Sequence, residues 1–311
     1  MSNVFAHDHN SEKQVGAPNK RNSLFELYRF LFSLWVVWYH GFFIFKNQYF
    51  ESGYIAVEFF FFLSGFYFMN KMDKYRELPL LKGLAQMVWD KVKPLGLAFV
   101  VGMVFVIWQR VLEARPVLLG YLWYVPIMLL ALGIVYFLRR LVKNDVAFVL
   151  SLIAITVACF LTLYLPIARN LGVARGIGAV SGGVLLSLIP KVHLKIKQKS
   201  INGTITSLLF GAVLFVAYLP KDNLICEYLL IFLLIPMLIY FTNTLKVNCS
   251  FFNFLGSLSF AIYAYQCVVR VIRMISPIPR YWLFVILIAL VVADKLVKLL
   301  LAHHRTPKTA H

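Results

Sequence analysis

The sequence predicts an all-α protein, a polytopic transmembrane helical bundle of about ten spans with both termini cytoplasmic. Three observations predict it. Of the 311 residues, 61% are hydrophobic and only 14% charged, with a mean hydropathy of +0.77. A soluble domain keeps about a quarter of its residues charged to cover a surface that faces water, so lipid must be part of the solvent here. Second, the apolar residues come in continuous runs of roughly the 20 residues a helix needs to cross a hydrocarbon core of about 30 Å, not in the alternation of barrel strands. Third, the basic residues are unevenly shared between the connectors, as the positive-inside rule requires.

The apolar runs place spans at 24–45, 53–69, 95–113, 117–138, 146–165, 171–190, 204–220, 224–245, 251–272 and 281–301. Connectors carry turn residues such as Pro94, Pro116, Asn144-Asp145, Pro220 and Pro277-Ile278-Pro279. With the N-terminus inside, 21 of the 31 lysines and arginines face the cytoplasm, 8 face out, and Arg29 and Arg175 fall within spans. The orientation suits the cell inner (plasma) membrane. Residues 1–22 are polar and read as a disordered cytoplasmic tail, 23–301 as the transmembrane domain, and 302–311 as a second cytoplasmic tail. The connector 71–94 alternates leucines and lysines, as in a helix lying on the inner leaflet. A basic loop that merely fixes topology is the simpler reading. The net charge of +18 belongs to these loops and to membrane lipids rather than to nucleic acid. Cys159, Cys226, Cys249 and Cys267 have no metal-binding or redox spacing, and no metal is expected.

An ionisable group inside a span costs from a few to more than roughly ten kcal/mol, so each one is a functional candidate. Arg29 and His40 are eleven residues apart, about three turns plus 20° of helix, which sets them on one face about 16 Å apart along the axis. Arg29 lies at the inner end, where it also has the option of snorkelling to the interface. His40 lies in the outer half, either as a proton acceptor near neutral pH or as a hydrogen-bonded packing residue. Glu58 falls at about the depth of His40, roughly 8 Å below the outer boundary. A buried carboxylate needs a partner, and by depth it is His40 or Arg175. Arg175 sits among Gly172, Gly176, Gly178 and Gly182, small residues that let helices approach closely. In the ninth span Ser259, Tyr263 and Gln266 share a helical face.

These residues resemble the integral-membrane acyltransferase type 3 family. Arg29 and His40 match its R-x10-H signature. Ala56 to Phe66, containing Glu58 and Ser64-Gly65-Phe66, resembles its next motif. Leu122-Trp123-Tyr124-Val125 resembles its tryptophan motif, and Trp89-Asp90-Lys91-Val92-Lys93-Pro94 its basic stretch, with lysines where arginines are usual. Residues 255–266 resemble its late motif, with Gln266 where histidine is frequent and Phe260 where tyrosine is. The resemblance implies transfer of an acyl group, most often acetyl, from cytoplasmic acyl-CoA to a hydroxyl of a cell-surface or exported glycan, the acceptor being a glycan or a lipid-linked glycan. It implies no permanently bound cofactor, acetyl-CoA or another acyl-CoA being a substrate. Arg29, Lys91 and Lys93 would hold the donor's phosphates. His40, polarised by Glu58, would act as base or acyl carrier. Arg175, Trp123, Tyr263 and Gln266 would contact substrate. A transporter or flippase for a glycan or lipid-linked substrate is the competing reading, since intramembrane charge and glycine-rich helices occur there as well.

Overall fold

A computed structural model describes residues 22–40, 53, 56–112, 122–162, 172–189, 196–218, 224–276 and 278–305. The tail 1–21 and residues 306–311 lie outside them. Among the described residues the regular structure is helical throughout. A helix falls in each of the ten stretches the hydropathy marks: α1 Ser23–His40, α2 Ala56–Arg76, α4 Gly96–Leu112, α5 Tyr124–Leu141, α6 Asp145–Leu161, α7 Val173–Leu188, α8 Ile196–Tyr218, the broken helix α9 Leu224–Leu229 and α10 Ile235–Thr244, α11 Ser250–Ile275 and α12 Arg280–Arg305. The connector 71–94 supplies a further helix, α3 Leu80–Val92.

By length and composition Tyr124–Leu141, Ile225–Thr244 and Ser250–Ile275 are able to cross a membrane, and α3 with α4 forms a bent fourth candidate. α1 and α2 fall short because they carry charge: Glu26 and Arg29 in one, Glu58 and the Lys71–Arg76 end in the other.

Local sequence explains the breaks. Pro94 ends α3, and Gly96, at φ +59°, takes a left-handed conformation that turns α4 by 89° from α3. α3 buries Gly83 and Met87 and leaves Leu81 and Trp89 exposed, a face suited to lipid. Asn144 caps α6, its side chain accepting from the Ala147 amide at 3.0 Å. Before Pro236 the helix widens into a π turn, Leu230–Leu234. A proline ring crowds the carbonyl four residues earlier, and the wider turn relieves it. The last helix runs on to Arg305. The basic residues there suit a helix C-terminus, and Pro307 follows.

Two helix pairs organise the bundle. α2 packs most extensively on α7, and α1 on α11. α7 also carries α5 and α6, and α11 carries α4 and α12. α1 is fixed at its start: the Ser23 amide donates to the Val247 carbonyl at 2.9 Å, the Cys249 amide to Ser23 Oγ at 2.8 Å, and Asn22 Nδ2 to the Thr242 carbonyl at 2.7 Å. At the far end of α2, Arg140 Nη2 donates to the carbonyls of Arg76, at 2.9 Å, and Leu78, satisfying groups a helix end leaves open.

Candidate active site

Four of the five resembling segments converge on Tyr124. Its hydroxyl lies 3.0 Å from Ser64 Oγ on α2 and donates to the Phe60 carbonyl at 3.3 Å. Its ring packs on Phe61 at 4.7 Å and, edge to face, on Tyr263 of α11 at 6.0 Å. The Arg29 charge from α1 acts on the same hydroxyl. Tyr124 stands beside Trp123 in one motif, and that adjacency was the signal for it.

α1 and α11 define the long axis of the site. Gly256 lets Glu26 lie directly against the α11 backbone, where any Cβ would collide with the Glu26 carboxylate. At the other end the Arg270 charge acts on His40, which is only half-buried and stacks against Tyr39 at 4.9 Å. The sequence offset is the same at both contacts, so the helices run parallel in constant register. Ser259 is therefore level with Arg29, Tyr263 with Ser33 and Gln266 with Val36. Arg270 belongs to α11, on the face of Tyr263 and Gln266. Arg29 Nη1 donates to Glu26 Oε2 at 2.8 Å. Glu26 precedes Arg29 by less than one turn, and that spacing was legible.

Glu58 pairs with Arg175, one of the two partners its depth allowed. Both Nε and Nη2 of Arg175 lie 2.5 Å from Glu58 Oε1. Glu58 is fully buried, and the charge of Glu227 on α9, also buried, acts on it. The reading in which Glu58 polarises His40 gives way to an ion pair between α2 and α7. Two cations were within reach of one depth, and the close α2–α7 packing selects Arg175. Trp123 sits beside this pair, its ring against Phe61 at 5.8 Å and beneath Gly172, whose φ of +66° opens α7.

Lys91 is half-buried with its ammonium 6.0 Å above the Phe68 ring, and Lys93 is exposed at the α3–α4 bend. Asp90 between them and α2 accepts from Gln86 at 2.7 Å and Tyr75 at 3.1 Å, with Lys74 and Lys71 at 3.6 and 3.8 Å. Burial raises its carboxyl, but those two hydrogen bonds and two ammoniums together hold it below its ordinary value. Asp294 on α12, which sequence reasoning passed over, accepts from Tyr265 at 3.2 Å and from Lys298 at 2.7 Å, tying α12 to the back of α11. A cavity of about 490 Å³ beside the π turn, lined by residues including Phe160, Leu186, Ile231 and Phe232, holds none of the candidate site residues.

Gln266 differs from its neighbours. It is 8% exposed, and neither its amide nitrogen nor its oxygen has a hydrogen-bond partner among the described residues.

A family model described as an acyltransferase domain matches residues 22–294, which takes in every segment gathered here. Among curated proteins and among solved structures nothing matches.

Proposed function

The chain belongs to the acyltransferase type 3 family and is an acyl-transferring enzyme of the membrane, and from that premise we propose that it moves an acetyl group from cytoplasmic acetyl-CoA to a hydroxyl of a cell-surface or exported glycan. The proposal takes ten spans in an inner (plasma) membrane with both termini cytoplasmic, as the 21 inner against 8 outer basic residues favour. The observation that carries it is the parallel register of α1 and α11, with Arg29 at one end, His40 at the other and Tyr124 between.

Coenzyme A is polyanionic at one end and reactive at the other. Arg29, with Lys91 and Lys93, holds the phosphates from the cytoplasm by charge-assisted hydrogen bonds. The pantetheine arm lies along the α1–α11 seam and delivers the thioester to His40. The acceptor hydroxyl gives its proton to His40 as its oxygen forms the new C–O bond. The C–S bond then breaks, and the coenzyme A thiolate leaves with the proton His40 returns. Arg270 sits where it stabilises the oxyanion of the tetrahedral intermediate. Trp123, beside the sealed Glu58–Arg175 pair, presents an aromatic face to the glycan, with Tyr263 on the seam side.

The test is mass spectrometry of surface glycans from cells with wild-type protein, with His40→Ala and with neither. Wild type adds one acetyl mass per modified unit. His40→Ala inserts normally and loses transfer by about 10²–10⁴-fold, the usual worth of a positioned base. Full transfer by His40→Ala overturns this mechanism.

A further inference from the structure

On the α11 face that looks onto α1, every other polar group has a role. Tyr263 packs its ring on Tyr124, Ser259 Oγ donates to the Gly256 carbonyl at 2.8 Å, and the Arg270 charge acts on His40. Gln266 stands between them, buried, with donor and acceptor both unsatisfied. A buried primary amide with no partner costs free energy on both counts. Leucine would fill the same space without that cost. The arrangement therefore fits a ligand that presents an acceptor and a donor together.

Depth identifies that ligand. The seam from Arg29 to His40 is about 16 Å long, close to an extended pantetheine arm from pyrophosphate to sulfur, also about 16 Å at ordinary bond lengths. Gln266 lies one turn, about 6 Å, from Arg270 towards the Arg29 end. In an extended acyl-CoA the cysteamine amide lies roughly 5 Å from the thioester carbonyl carbon. With the thioester at His40 and Arg270, that amide falls level with Gln266. Its N–H and C=O match the oxygen and nitrogen that Gln266 leaves open.

We infer that Gln266 is a donor-positioning residue that hydrogen-bonds the cysteamine amide of the acyl-CoA and so sets how far the thioester reaches towards His40. The inference rests on the acyl-CoA reading above and adds a residue and a ligand group to it. Gln266 touches no reacting atom; it holds the arm in register.

The experiment compares two donors on purified full-length protein in detergent: acetyl-CoA, and an analogue whose cysteamine amide N–H is replaced by an ester oxygen. Dissociation constants are measured for wild type, Gln266→Leu and Gln266→Met. Wild type is expected to bind the ester analogue about tenfold more weakly than acetyl-CoA, the worth of one good buried hydrogen bond. Both variants are expected to bind acetyl-CoA about tenfold more weakly than wild type does and to treat the two donors alike. Additional phosphate contacts leave this difference untouched, because both donors carry the same phosphates. Variants that keep the preference for the amide overturn the inference, and so does a wild-type protein that shows none, whatever the variants do. Wild-type protein that binds neither donor overturns the acyl-CoA reading itself, an outcome distinct from equal binding of both.

Discussion

Two arginine–glutamate pairs sit in the bundle, and they are built for opposite purposes. Arg29 and Glu26 lie on one helix, three residues apart, and the Arg29 side chain keeps 28% of its surface exposed. Arg175 and Glu58 come from α7 and α2, 117 residues apart in sequence, and Glu58 is fully buried. The first pair orients a cation that still has open surface for a ligand. The second neutralises two charges against each other inside the packing. A pair with an accessible guanidinium is available for binding, whereas a sealed one belongs to the scaffold.

The sharpest way to break this contrast is to remove one partner of each. Arg175→Met leaves the Glu58 carboxylate buried without its cation, and breaking a buried pair from one side costs about 3–5 kcal/mol. Thermal unfolding in detergent should fall well below wild type, and Glu58→Gln added to it should recover much of the loss. An Arg175→Met protein as stable as wild type would show that the pair is not structural. Arg29→Ala removes a half-exposed partner from the buried Glu26 and should cost less stability than Arg175→Met, while weakening acetyl-CoA binding in the same preparation. A third set of charges, around Asp90, sits outside the spans and should give the smallest effect. Its carboxyl lies below the ordinary 3.8 when folded, so its contribution is complete above that value and is lost as pH falls through the lower folded one. Wild type should lose stability there relative to Asp90→Asn, as followed by acid unfolding of the α2–α3 junction; parallel acid profiles would remove Asp90 from that role.

The ten apolar stretches and the Arg29–His40 face were legible, since both follow from residue period and run length. Glu58 was found as a buried acid, but its partner depends on which helices touch, and no local pattern encodes that. Glu227 and Asp294 were missed for the same reason: each lies in an apolar run, and only the fold supplies its neighbours.

The α2–α7 pair has one more property. A Cβ on Gly65 would collide with the Val180 carbonyl oxygen, and one on Gly183 with that of Phe62. At these two points the helices therefore meet backbone to backbone. A protein that holds a polar stripe open from one end of a helix to the other risks conducting protons and sodium down it. Where those backbones touch there is no width for a file of water. A contact of that kind works as a gasket: it closes the space between the two helices to ions and water at that level.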